Sequence, residues 1–339
     1  MIIILKKGAD QKQVDSLVKW LEDRHITPNI STGERETLIG CIGDVAKMDI
    51  GLVQALSVVE RVQRIQEPYK AANRKFHPED TVVDCSGAKI GGGNFQVIAG
   101  PCSVESVEQM VCVAKSVKAA GATLLRGGAF KPRTSPYSFQ GLGKRGLEIL
   151  LEAKRETGLP IVTELMGLEH LPLFNDVDVI QIGARNMQNF DLLKEVGSKT
   201  KKPILLKRGM SATLQELLMS AEYLMASGNP NVMLCERGIR TFETAMRNTI
   251  DLTVIPVLKR LSHLPVVIDP SHATGYSELV EPCAMGATAM GADALIIEVH
   301  NDPSHALCDG VQSQTPEMFA ATMEKVRAIR PYAWKRGDA

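Results

Sequence analysis

The sequence lacks most of the features that announce a specialised class of protein. Only 4% of its 339 residues are aromatic, and its longest apolar runs, such as residues 2–5 and 294–297, are a handful of residues long. A bilayer span needs about 20 apolar residues, so no transmembrane helix is expected. Met1 leads at once into a short apolar run and then Lys6-Lys7, the reverse of a secretory signal with its basic start and longer apolar stretch. A cytoplasmic protein is expected. Charge of neither sign dominates: 39 Lys+Arg face 39 Asp+Glu, a formal net charge of zero. General binding to nucleic acid or to an anionic membrane requires a net or segregated basic surface, so neither partner is expected. The seven cysteines are an odd number, and no two are spaced as CxxC. That pattern excludes a disulfide framework and a structural zinc knuckle, and leaves most of the thiols as small buried hydrophobes.

What is present is a strong periodic pattern. Residues 1–66 read as a strand (2–5), an amphipathic helix through Val14, Leu17, Val18 and Leu21, two strands (26–30 and 37–42) joined at Gly33-Glu34, a helix (45–56) and a last strand (58–65). This βαββαβ order predicts a small α+β ferredoxin-like domain, which by itself settles no function. A polar connection with Pro68 and Pro78 occupies 67–80 and, without a Gly/Ser run, reads as an ordered linker. A hairpin is expected next, from extended stretches at 81–84 and 94–97 around Gly91-Gly92-Gly93. Over the rest of 81–339 a short apolar run, a polar loop and a helical stretch recur eight times, the runs being 97–99, 123–125, 161–163, 179–182, 204–206, 232–234, 266–268 and 295–297. Eight such units in one domain predict an α/β fold of the (β/α)8 TIM-barrel kind over a doubly wound open sheet.

Barrel enzymes build their chemistry at the C-terminal ends of the strands. Reading the residues just beyond each run gives two constellations. The first is cationic: Arg126, Lys131, Arg133, Arg185, Lys207 and Arg237. One such charge is ordinarily a solvated loop residue or half of a surface pair. Six at one mouth repel one another unless dianions lie between them. Arg suits bidentate binding of phosphate and carboxylate, and the interleaved glycines admit backbone N–H groups to the same oxygens. Phosphorylated, acidic small molecules follow. The second constellation is Cys102, His272, Glu298 and Asp309, from the first, seventh and eighth units, which become neighbours when a barrel closes. Each alone is bland: a buried thiol, a hydrogen-bonded loop His, partners for a nearby Arg. Together, thiolate, imidazole and two carboxylates suit a divalent ion such as Mn²⁺, Fe²⁺, Co²⁺ or Zn²⁺. His25, His77, His170, His263 and His305 have no such company and read as structural or surface residues.

The motifs Gly100-Pro101-Cys102-Ser103, Lys131-Pro132-Arg133-Thr134-Ser135-Pro136, Gly183-Ala184-Arg185-Asn186, Leu206-Lys207-Arg208-Gly209, Cys235-Glu236-Arg237-Gly238, Asp269-Pro270-Ser271-His272 and Ile297-Glu298-Val299-His300 resemble, in this order, the 3-deoxy-D-arabino-heptulosonate 7-phosphate (DAHP) synthases. The resemblance covers essentially the whole chain and is nearest to the form with a ferredoxin-like regulatory domain before the barrel. It implies metal-dependent condensation of phosphoenolpyruvate with erythrose 4-phosphate, the first step of the shikimate pathway. It implies Cys102, His272, Glu298 and Asp309 as metal ligands, for Mn²⁺ or alternatively Fe²⁺, Co²⁺, Zn²⁺ or Cd²⁺. Ala184, Arg185 and Arg237 would hold the phosphoenolpyruvate phosphate, Arg126, Lys131 and Lys207 its carboxylate and the reacting centre, and Arg133 and Thr134 the erythrose 4-phosphate. Lys131 or a metal-held water would protonate the new alkoxide, since a lysine among cations is expected to have a lowered pKa. Cys102 and His272 would act with it at the metal. In the resembling subgroup the first domain mediates inhibition by Phe or Tyr, and the chain is expected to form a homo-oligomer, tetramer or dimer.

Two alternatives stay open on the sequence. The sister enzymes that make 3-deoxy-D-manno-octulosonate 8-phosphate from arabinose 5-phosphate share this rim, but typically carry Lys-Ala-Asn-Arg where this chain has Lys131-Pro132-Arg133-Thr134. A metabolite sensor that binds a phosphorylated ligand without turnover is the other, and the intact metal set argues against it.

Overall fold

Four consecutive apolar residues, rather than an alternating pattern, imply a strand covered on both faces. The computed structural model, which describes residues 1–33, 36–43, 45, 48–63, 68–132 and 135–337, agrees. β1 (Ile2–Leu5) is buried along its whole length. With β2 (Thr27–Thr32), β3 (Thr37–Ile42) and β4 (Val59–Gln63) it forms an antiparallel sheet of order β2-β3-β1-β4. Ile3 and Leu5 pack with Val14, Leu17 and Leu21 of α1 (Gln11–Glu22), whereas Ile2 and Ile4 pack with Phe76 on the other face. Gly40 of β3 makes room for that ring, since a Cβ there would lie 2.4 Å from Phe76 Cδ1. The arrangement is ferredoxin-like. Its second helix, α2 (Ile50–Gln54), is shorter than the expected 45–56 because Asp49 caps it, the carboxylate accepting from the N–H groups of Gly51 and Leu52 at 2.8 and 3.4 Å. Glu34 of the expected turn and Ile65 of the expected last strand lie outside the described residues. The chain divides into two compact units, Met1–Asp80 with Leu261–His263, and Thr81–Arg260 with Leu264–Ala339.

The second unit begins with a hairpin, though not the expected one. Its strands are β5 (Val83–Cys85) and β6 (Ala88–Ile90), and the turn is Ser86-Gly87, both at positive φ. Two such residues in succession give the twist that hairpins favour, and a serine in the first position hides that signal. The triple glycine instead closes a tight reversal with an isolated bridge between Gly91 and Asn94, and the expected second arm belongs to the barrel.

Eight parallel strands close that barrel: β7 (Gln96–Gly100), β8 (Leu124–Arg126), β9 (Ile161–Glu164), β10 (Val179–Ile182), β11 (Ile204–Lys207), β12 (Val232–Glu236), β13 (Val266–Ile268) and β14 (Ala294–Glu298). α3 (Val107–Ala120), α4 (Lys144–Thr157), α5 (Phe190–Lys199), α6 (Leu214–Ala226), α7 (Val254–Leu261), α8 (Pro270–Thr274), α9 (Ser277–Ala289) and α10 (Pro316–Ile329) fill the connections. The third connection departs from the expected helical stretch, holding only a 3₁₀ segment, Leu168–Phe174, with Pro172 inside it; proline removes a helical donor and clashes with the preceding turn. The spacing Gly141-Leu142-Gly143-Lys144-Arg145-Gly146 looks like a dinucleotide fingerprint, but two of its glycines serve packing. A Cβ at Gly141 or Gly146 would meet Ala129 at 2.3 or 3.0 Å.

The barrel interior is apolar at its lower end. Leu124, Val179 and Ala294, the first residues of their strands, share one core cluster with Val83, Cys85 and Ile90 of the hairpin. The hairpin therefore plugs the N-terminal end and leaves the C-terminal end open. Because Ile90 has no solvent exposure, Ile90→Ala is expected to destabilise the barrel by about 2–5 kcal/mol. Denaturant unfolding of the full chain checks this, and an unmoved barrel transition would show that the hairpin is not part of its core.

Candidate metal and anion site

The apolar runs end in charge. Arg126 closes β8, Glu164 β9, Lys207 β11, Glu236 β12 and Glu298 β14, and all but Glu164 are buried. Buried charges persist when they are paired. Arg126 Nη1 lies 3.0 Å from Glu298 Oε1, Arg208 donates to Glu236 at 2.6 Å, and Lys207 donates to Asp269 in a short contact.

Around Glu298 the second constellation assembles. One ligand atom from each of Cys102, His272, Glu298 and Asp309 falls within 4.8 Å of the others. α8 presents His272: Asp269 caps that helix by accepting from the His272 N–H at 2.9 Å, and its other oxygen lies 2.8 Å from Nδ1. His272 Nε2 is thereby turned toward Glu298 Oε1, 3.5 Å away. Gln312 donates to Glu298 Oε2 at 2.5 Å, and Arg247 donates to Asp309 at 3.0 Å. Lys131 donates to the Cys102 sulfur at 2.9 Å and to its carbonyl at 3.1 Å.

The electrostatics favour a cation here. Burial opposes charge on Glu298, yet His272 and Arg126 outweigh it and lower the pKa. Asp309 is likewise held low against burial by Arg247 and His272. Burial lowers the pKa of His272 against the opposing pull of Asp269 and Glu298. The Cys102 thiol is pushed well up by the Cys308 thiol, 3.4 Å away, by burial and by Glu298. Glu298 Oε1 is buried and, beyond its ion pair with Arg126, accepts no aligned hydrogen bond among the described residues. Such a carboxylate oxygen beside an imidazole nitrogen, a sulfur and a second carboxylate fits a divalent ion, which would also favour the thiolate.

Above this cluster opens a cavity of about 240 Å³, lined by seven cations (Arg126, Lys131, Arg185, Lys207, Arg237, Arg240 and Arg247), by two carboxylates, Glu164 and Asp309, and by Gln181, Gly183, Ala184, Asn248 and His272 among others. Arg126, Lys207 and Arg247 face carboxylates. Arg185, Arg237 and Arg240 face none among the described residues. Arg237 is buried, and burial lowers its pKa; an oxyanion would relieve that cost.

All the sequence-derived candidates among the described residues therefore meet in one place. Arg133 and Thr134 lie outside the described residues. The expected acidified lysine is reversed: burial works to lower the pKa of Lys131, but Cys102, Cys308 and Glu298 outweigh it together with Arg126, and the value is raised. The sequence reading overlooked Arg240, Arg247 and Gln312, which lie several residues beyond a strand end. Arg240 and Arg247 come from the loop 237–253, which is held to α8 where Asn248 donates to the His272 carbonyl at 2.7 Å. Asp269 and Glu164 stand at strand ends, and their charge was the available signal.

Comparison with known proteins agrees with this geometry. Residues 70–330 match the DAHP synthetase I family and residues 1–67 the DAHP synthase ferredoxin-like domain. The chain is 48% identical over 330 residues, 97% of each chain, to the phospho-2-dehydro-3-deoxyheptonate aldolase of Thermotoga maritima. It is 32% identical over 262 residues, 72% of this chain and 90% of the other, to a 2-dehydro-3-deoxyphosphooctonate aldolase of Syntrophobacter fumaroxidans. A crystal structure of the Thermotoga maritima DAHP synthase superposes with a TM-score of 0.77 at 47% identity, covering 97% of both chains. A truncated form of the synthase from that organism gives 0.72 at 47% identity over 77% of this chain and 95% of its own.

Cavity cations that face no carboxylate among the described residues are expected to behave differently from Arg208, which is held by buried Glu236. Arg185→Met and Arg237→Met are each expected to weaken inorganic phosphate binding by about tenfold or more with the fold intact. Arg208→Met, which strips a partner from buried Glu236, should instead cost about 3–5 kcal/mol of stability. Phosphate titration by calorimetry and thermal unfolding of the three variants distinguish the two behaviours.

Proposed function

From the premise that the chain belongs to the DAHP synthetase I family, in the form with a ferredoxin-like domain, and carries its transferase activity, we propose a metal-dependent reaction within the shikimate pathway. Phosphoenolpyruvate, erythrose 4-phosphate and water give DAHP and phosphate, the first step toward chorismate and the aromatic amino acids. The observation that carries this reading is the convergence, in one cavity, of three guanidinium groups that face no carboxylate among the described residues and a four-donor cluster beside them.

Arg185 and Arg237 hold the phosphate of phosphoenolpyruvate, with Ala184 beside it, while Arg126, Lys131 and Lys207 hold its carboxylate and the reacting carbon. Offsetting the repulsion between two phosphorylated anions and fixing their approach is the main work of these cations. C3 of phosphoenolpyruvate attacks the aldehyde carbon, positive character develops at C2, water adds there, and phosphate leaves by C–O cleavage. Cys102, His272, Glu298 and Asp309 would hold a divalent ion, Mn²⁺ before Fe²⁺, Co²⁺, Zn²⁺ or Cd²⁺, which supplies Lewis-acid polarisation of the aldehyde when bound. Lys131 Nζ keeps its proton, as its raised pKa requires, and delivers it to the alkoxide oxygen formed in the condensation. Arg133 and Thr134 take the erythrose 4-phosphate. Residues 1–66 act as a regulatory domain through which Phe or Tyr inhibits, ahead of a linker at 67–80 and the catalytic domain at 81–339. The protein is a cytoplasmic homo-oligomer, tetramer or dimer.

The deciding experiment titrates metal-free protein with divalent ions while following phosphate release, with and without Phe and Tyr. Chelation is expected to abolish release from phosphoenolpyruvate and erythrose 4-phosphate, Mn²⁺ to restore it, and one aromatic amino acid to suppress it. Turnover with arabinose 5-phosphate instead would move the chain to the octulosonate enzymes. Lys131→Met is expected to lower kcat by about 10²–10⁴ and also to weaken phosphoenolpyruvate binding, since the same ammonium faces its carboxylate. Near-normal turnover at unchanged binding would remove Lys131 as the proton donor.

A further inference from the structure

The four metal-ligand candidates come from separate segments, and their mutual distances depend on what ties those segments together. Cys102 follows β7, Glu298 ends β14, and Asp309 lies in the loop beyond it. Within three residues of each of these ligands stands a group that meets Glu105. The N–H of Leu307, two residues before Asp309, donates to Glu105 Oε1 at 3.0 Å. The hydroxyl of Ser103, next to Cys102, donates to the same oxygen at 3.2 Å. His300, two residues after Glu298, places Nε2 3.4 Å from Glu105 Oε2.

The imidazole is oriented for this contact. His300 Nδ1 accepts the Asp302 N–H at 2.9 Å, so its proton is assigned to Nε2, on the side of Glu105. That nitrogen is buried and has no aligned acceptor, so Glu105 Oε2 is the carboxylate it faces. Glu105 is itself fixed. Its N–H donates to Gln109 Oε1 at 3.1 Å, and Gln109 Nε2 returns to the Ser103 carbonyl at 3.2 Å. Asp309, two residues beyond Leu307, holds φ at +53°, a conformation uncommon outside glycine, asparagine and aspartate.

Resting on the metal reading above, we propose that Glu105 is a positioning residue for the metal centre, one carboxylate that gathers the segments bearing Cys102, Glu298 and Asp309. Glu105 is neither one of the four ligand candidates nor part of the cavity lining. Groups that orient metal ligands typically change metal affinity by about 10–100-fold when removed.

The test uses the full chain and Co²⁺, whose thiolate charge-transfer band reports Cys102 and whose dissociation constant is read by chelator competition. Glu105→Ala is expected to weaken Co²⁺ by about tenfold or more and to diminish the band. Glu105→Gln keeps an acceptor for Leu307 and should recover most of both. Glu105→Asp, which keeps the charge but shortens the reach, should weaken binding as Ala does, and it carries the test if the Ala variant does not fold. A folded Ala or Asp variant with wild-type affinity and spectrum overturns the proposal. Wild-type protein that takes up no Co²⁺ overturns the metal reading, and the role of Glu105 with it.

Discussion

The site depends on keeping Glu298 charged in a place water does not reach. An isolated carboxylate there would take up a proton. Arg126, His272 and Gln312 prevent it, and each is placed by something else: Arg126 by the end of β8, His272 by the Asp269 cap of α8, Gln312 by the segment beyond Asp309. Asp269 is in turn held charged against burial by His272 and Lys207. Removing one partner would leave an uncompensated charge in the interior, the costliest way to disturb such a network. The barrel contributes the geometry, since parallel strands ending at one level bring Arg126 to Glu298 and Lys207 to Asp269.

This network divides the cations of the cavity by partner. Arg126, Lys207 and Arg247 face carboxylates of the site and hold them in place. Arg185, Arg237 and Arg240 face none among the described residues and leave positive potential at the mouth. The zero net charge of the chain conceals this separation. A charge count over the whole sequence averages a positive cavity against carboxylates elsewhere, so the informative quantity is charge per strand end.

That is also why the sequence was legible where it was. β-branched runs bounded by polar turns located all eight barrel strands to within about two residues, because a strand buried on both faces has little freedom in composition. Residues directly after the strands were placed correctly on the rim for the same reason. Arg240, Arg247 and Gln312 were missed because they lie on longer excursions whose return path no local pattern specifies. The hairpin arms differ from the expected ones because Ser86 takes a conformation usually signalled by glycine or asparagine, and the third connection lacks the expected helix because Pro172 interrupts it. The direction of the Lys131 shift was wrong because counting only its cationic neighbours ignored two thiols and Glu298.

The hairpin of β5 and β6 makes the barrel blind-ended. Whatever enters through the mouth leaves by it, so two substrates, a sugar acid product and a released phosphate share one doorway. With Val83, Cys85 and Ile90 filling the far end, Arg126 and Lys207 at the strand ends are approached from the mouth alone, so the three apolar side chains of the plug set the direction of traffic for a cavity they never touch.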